Sequence, residues 1–119
     1  MTKETLAATL NVAYGVAGVD GFHDDEKTIL AKELASYNLP DEDAKAVLAR
    51  YNEMPILEAI NIVAAADEAV RKEAHALIVY TCIADGEASE KELGAYQLVK
   101  VLCNLPAVDV DEARQILGF

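Results

Sequence analysis

Carboxylates gather around two Asp-Gly pairs, Asp20-Gly21 and Asp85-Gly86, that lie sixty-five residues apart in the chain. The first stretch reads Val19-Asp20-Gly21-Phe22-His23-Asp24-Asp25-Glu26 and the second Ala84-Asp85-Gly86-Glu87-Ala88-Ser89-Glu90-Lys91-Glu92. An apolar run precedes each pair and an acidic first turn follows it. Loose main-chain carbonyls at a helix end, an aspartate and the carboxylates of the next turn together form the all-oxygen ligand set that Ca²⁺ or Mg²⁺ prefers. Asp20 and Asp85 stand at expected helix C-termini, where open carbonyls and the macrodipole disfavour a negative charge by ~0.3–1 kcal/mol. Two arrangements offset that cost: the side chain folds forward onto amides of the following turn, or a cation sits beside it. An EF-hand is excluded by spacing, because a twelve-residue loop from Asp20 or Asp85 places Ala31 or Tyr96 where the bidentate Glu belongs.

These corners need helices on both sides. Thr5 to Val19 carries Leu6, Leu10, Ala13, Tyr14 and Ala17 at helical spacing, with Val12, Val16 and Val19 making it apolar nearly all round. Gly21 and Gly86 fit the left-handed residue that closes a helix. Asp24 to Tyr37 gives a second helix with Glu26, Leu30, Leu34 and Tyr37 on one face, ended by Asn38-Leu39-Pro40. Asp41-Glu42-Asp43 supplies the N-cap and acidic start of a third, with Ala44, Val47, Leu48 and Tyr51 inward, stopping near Asn52. Pro55 opens a fourth with Ile56, Ile60 and Val63 buried, ending near Ala66. Asp67 caps a fifth through Ala84, with Val70, Ala74, Leu77, Ile78 and Thr81 inward. Ser89 to Cys103 is a sixth, opened by the capping box Ser89-Glu90-Lys91-Glu92 and with Tyr96, Val99 and Leu102 on one stripe, and Asp109 to Leu117 a seventh that buries Ala113, Ile116 and Leu117. No segment alternates like a strand.

The expectation is therefore an all-α bundle of about seven helices in one domain, residues 1–119. It is built from two pseudo-symmetric halves, near 5–52 and 67–119, with the fourth helix between them. A simple homodimer or a monomer is compatible with this pattern. At 119 residues the chain buries roughly two-thirds of its unfolded surface. Twenty-one acidic against ten basic residues give a formal charge of −11, which opposes nucleic-acid and anionic-membrane binding and favours cationic partners. No run reaches the ~20 apolar residues of a membrane span, and residues 1 to 15 lack a signal peptide's features, so a cytoplasmic protein is expected.

Cys82 and Cys103 lack a CxxC partner and read as core hydrophobes. His23 is close to Asp20, Asp24 and Asp25, while His75 borders the inward stripe of the fifth helix; the two lack the spacing of zinc ligands on one helical face. With two serines in the chain, Ser36 and Ser89, and no nucleophile elbow or phosphate loop, an enzyme is not expected.

The pair of corners, above all Ala84-Asp85-Gly86-Glu87 with Ser89 and Glu92, resembles the tellurite-resistance TerB-like family, which includes the N-terminal domain of a membrane-anchored DnaJ-like co-chaperone. The resemblance spans nearly the whole chain. It implies an all-helical TerB-like fold, a link to stress responses at the bacterial membrane through an unidentified protein partner, and a divalent cation held by Asp20, Glu26, Asp85 and Glu92. The corners differ: Phe22 and His23 stand where the second has Glu87 and Ala88, and Lys27 where it has Glu92. No His-Pro-Asp tripeptide of a J domain is present.

Overall fold

The structure is a computed structural model that describes residues 1–20, 24–82 and 88–118, with the backbone alone at 20 and 24–27. Helix α1 (Lys3–Ala17) runs into a 3₁₀ turn over Gly18–Asp20 and is followed by α2 (Asp24–Ser36) and α3 (Asp41–Glu53). Then come α4 (Ile56–Ala65), α5 (Glu68–Cys82), α6 (Glu90–Leu102) and α7 (Val110–Leu117). Among the described residues there is no strand, and the expected all-α bundle is what forms.

The boundaries depart from expectation where local hydrogen bonding outweighs side-chain pattern. Helix α1 starts earlier because the Thr2 hydroxyl accepts the Thr5 amide at 3.1 Å. It also ends earlier, its last residues tightening to 3₁₀. At α3 the expected cap, Asp41, is already helical. The residue before it is Pro40, which makes no side-chain cap but accepts the Ala44 amide through its carbonyl at 2.9 Å. Asp41, Glu42 and Asp43 then act as charges in the first turn. Val47 is buried as expected; Leu48, one position round the helix, lies exposed at the rim, and so do Ile56 of α4 and Leu102 of α6, which the pattern places inward. Asp67 and Ser89 cap as expected, and Asp109 adds a second full capping box with Glu112.

Both Asn-Leu-Pro stops work through their asparagine. Asn38 and Asn104 have φ of 50° and 48°, the left-handed conformation that Asn tolerates better than most residues. After α6 the Asn104 turn lets the Leu105 amide reach back to the Lys100 carbonyl at 3.1 Å, and Leu105 is buried beneath it. Proline then prevents the helix from resuming.

The core is centred on α1 and α5, the two helices that read as apolar all round. Leu6, Leu10, Val12 and Val16 of α1 meet Ala74, Leu77 and Ile78 of α5 within one buried cluster. Helix α1 packs on α3, α4, α5 and α6, while α5 packs on α7, α1, α2 and α4. The helix that follows each corner therefore lies against the central helix of the opposite half. Gly15 faces α4, where a Cβ would come within 2.8 Å of the tip of the Ile56 side chain. Outside the core, the Arg50 guanidinium on α3 joins Glu4 of α1 and Glu58 of α4. Among the described residues no helix is long and apolar enough to cross a membrane.

Candidate metal centre

Of the four expected ligands, Glu92 is the one whose side chain is described, and its placement is unusual for a glutamate in a first turn. Its carboxyl is 2% exposed. The capping box accounts for half of it: the Ser89 hydroxyl accepts the Glu92 amide at 3.1 Å, and Glu92 Oε1 accepts the Ser89 amide at 3.4 Å. Glu92 Oε2 is buried with no hydrogen-bond partner. A buried carboxyl oxygen left unpaired costs about 1–3 kcal/mol or more, so something else should meet it.

Asp20 closes the 3₁₀ turn that ends the first corner, and this turn packs against α6, the helix that carries Glu92. The turn that leads into the first corner and the helix that follows the second are thus in contact. Glu26 lies in the opening turn of α2, where its backbone is helical. Its side chain, that of Asp20, and the whole of Gly21, His23, Asp85, Gly86 and Glu87 lie outside what the structure describes. Among the described residues no group of three His, Cys, Asp or Glu side chains could hold a metal ion. An oxygen-ligand site would need the corner aspartates, and Glu92 Oε2 is an oxygen donor of the right chemistry for it.

Why Glu92 is short of a partner follows from its neighbours on α5 and α6. Tyr96, one turn on, has its hydroxyl 2.6 Å from His75 Nε2. The other ring nitrogen, Nδ1, meets the Pro106 carbonyl, which can only accept, so Nδ1 carries the proton and Nε2 accepts from Tyr96. The Tyr96 proton is therefore committed away from Glu92. His75 is 1% exposed, and burial pushes its pKa below the usual histidine value, the Pro106 bond opposing this and the nearby Lys100 charge adding to it. The imidazole is neutral and structural, not a ligand.

A second carboxyl cluster was not anticipated from the pattern. Glu33 of α2 is 1% exposed, accepts the Tyr37 hydroxyl at 3.0 Å, and lies close enough to Glu73 of α5 for the two carboxyls to act on one another. Burial, then the Glu73 charge, raises the Glu33 pKa to about 7 against the pull of the Tyr37 hydrogen bond, so the pair holds a proton in mildly acidic solution. The signal was present in the spacing: Glu33 falls three residues after Leu30 and four before Tyr37, inside the buried stripe.

Cys82 and Cys103 are buried and not joined in a disulfide, as expected. Cys82 lines an apolar cavity of about 300 Å³ with Val79, Leu93, Tyr96, Val108 and Val110.

No family model and no curated protein matches the chain. Over its full length it is similar to the crystal structure of a protein of unknown function, PG1108, from Porphyromonas gingivalis W83. The two share 20% identity at a TM-score of 0.82, covering 100% of this chain and 91% of that one. A likeness at that identity bears on the fold, and it shows the same arrangement of helices in an experimentally determined protein.

Proposed function

We propose that the chain is a non-catalytic, cytoplasmic helical module of TerB-like type that binds a divalent cation, Ca²⁺ or Mg²⁺, at its paired acidic corners and uses the loaded corner in stress-related interaction or sensing. The observation that carries the reading is the buried, unpartnered Glu92 Oε2 on the helix against which the Asp20 turn packs. Asp20 and Asp85 would complete the ligand set, with Glu26 from the opening turn of α2. The ion would supply charge neutralisation across two elements distant in sequence, fixing the corners relative to one another.

The test is a thermal melt of metal-stripped protein at fixed ionic strength, with each of Ca²⁺, Mg²⁺, Mn²⁺ and Zn²⁺, repeated on Asp20→Asn, Asp85→Asn and Glu92→Gln. A specific ion at a hundred times its Kd stabilises by ~2.7 kcal/mol, a rise on the order of ten degrees for a domain this size. The three substitutions should each abolish the rise. An equal small rise with every cation, retained in all three variants, would mean that divalent ions only screen the −11 charge.

A second reading, a metal-free protein-interaction domain whose Asp-Gly corners are turns, draws on the exposed Leu98, Val101 and Leu102 of α6. It predicts a partner that binds identically with and without metal.

A further inference from the structure

Helix α6 is apolar on two opposite faces and uses one of them. Glu92, Val99 and Cys103 turn inward and are buried. On the other side Leu98, Val101 and Leu102 are 60%, 74% and 47% exposed, at the i, i+3, i+4 spacing of a helix-packing stripe. Gly94 continues that stripe one turn earlier. It sits inside a helix, where Gly costs ~1 kcal/mol relative to Ala, and a Cβ built on it would meet nothing within 4 Å. Nothing in the described chain uses the notch.

Two features of this face say what covers it. The first is charge. Leu93 to Val108 is the longest run in the sequence without Asp or Glu. The next longest, Thr5 to Val19, belongs largely to the buried helix α1. The α6 face is thus the exposed apolar surface where a second −11 chain meets no carboxylate of this helix beyond its first turn. The second feature is self-complementary spacing. A two-fold contact pairs residue i with j and j with i. If two α6 helices cross antiparallel about Leu98, positions whose numbers sum to 196 come level. Gly94 of one copy then lies beside Leu102 of the other, notch against knob, on both sides of the axis.

We propose that α6 is a homodimerisation helix, its Gly94, Leu98, Val101 and Leu102 face packing antiparallel on the same face of a second copy. The contact is one helix wide, about 20 Å long, so the dimer is a weak, concentration-dependent one. The two net charges oppose it at long range, so added salt tightens it.

Sedimentation equilibrium of the whole chain, from micromolar to millimolar at low and at ~0.5 M salt, tests this. The expected result is a monomer–dimer equilibrium shifted toward dimer by salt. Leu98→Glu should weaken it at least tenfold, with an unchanged circular dichroism spectrum because the side chain is exposed. Gly94→Leu alone should weaken it similarly by filling the notch, and Gly94→Leu with Leu102→Ala should recover part of the loss by exchanging knob and notch. A chain that stays monomeric at millimolar concentration and high salt overturns the proposal, as does a dimer indifferent to Leu98→Glu. Binding to zwitterionic vesicles that depends on Leu98, with no dimer, would assign the face to a membrane surface instead.

Discussion

The helices that follow the two corners carry the same pair, a buried glutamate and a tyrosine four residues later, and settle the buried carboxyl in opposite ways. On α2, Glu33 takes the hydroxyl of its own Tyr37 and faces Glu73, so the cluster is closed by a proton. On α6, Tyr96 gives its hydroxyl to His75, and Glu92 keeps one oxygen unpaired. What decides the outcome is the residue that α5 presents, Glu73 to one side and His75 to the other. A carboxylic acid offers a proton to share, whereas a neutral imidazole already bonded to Pro106 offers an acceptor and draws the tyrosine away. One carboxyl is therefore met by a hydroxyl and a second carboxyl, and the other keeps an oxygen without a hydrogen-bond partner.

The largest expected effect tests the closed half. With a folded pKa near 7 against an ordinary 4.5, Glu33 binds more protons in the native than in the unfolded chain between those values. Stability contributed by this proton is full below about pH 4.5 and is lost as pH rises through about 7. The loss is on the order of 3 kcal/mol. Urea denaturation at pH 5 and pH 8 should show it, and Glu33→Gln, neutral at both, should remove that part of the difference. If the variant keeps the full difference, the proton is held elsewhere.

In the open half the sign reverses. Burial holds the His75 pKa below 6.5, so the native state binds fewer protons than the unfolded one as pH falls through 6.5. That stability is present above 6.5 and lost progressively on acidification below it. Tyr96→Phe leaves Nε2 without a donor and should cost about 1–2 kcal/mol at pH 7.5, read by urea denaturation. It should leave the slope between pH 7 and 8 as in the parent. His75→Leu sharpens the comparison further: it frees the Tyr96 hydroxyl to turn toward Glu92, as Tyr37 does toward Glu33. Its Glu92 oxygen would then be satisfied internally, and a cation-dependent rise in Tm should shrink relative to the parent.

Helices were legible in the sequence because each carries its own signals. The apolar periodicity of Leu6, Leu10 and Ala13, or of Ala74, Leu77 and Ile78, reports the buried face directly. Ser89 with Glu92 marks a helix start by chemistry local to four residues. Leu48 misled because the i+4 position of a stripe is buried only where a neighbour covers it, and Leu48 borders a cavity with Leu10, Leu30 and Leu34 while remaining 44% exposed. Glu33 and Glu92 illustrate the harder limit. Both are charged residues in apolar stripes, and the spacing that hints at burial does not say which groups they meet. The proton on one and the unpaired oxygen on the other come from packing between halves, which no local spacing records. That the Asp20 turn lies against α6 is likewise a tertiary fact.

The smallest expected effect concerns the one place where the halves agree. Asn38 and Asn104 both end a helix in the left-handed conformation ahead of Leu-Pro. Glycine bears that conformation without a Cβ penalty, whereas alanine pays for it, by roughly 1 kcal/mol. Asn→Ala at either site should therefore destabilise by about 1 kcal/mol, and Asn→Gly should be within a few tenths of the parent. The sites should still differ slightly. The turn at Asn104 is tied to Arg71, which hydrogen-bonds the Asn104 carbonyl, and to the Leu105 amide bonded to Lys100. Asn38 keeps the single backbone bond from its own amide to the Ala35 carbonyl at 3.0 Å. Rigid anchoring on both flanks leaves the chain less able to relax around a strained alanine, so Asn104→Ala should cost more than Asn38→Ala. Equal losses in urea denaturation would mean that both turns relax alike, and that the pseudo-symmetry of the stops extends to their energetics.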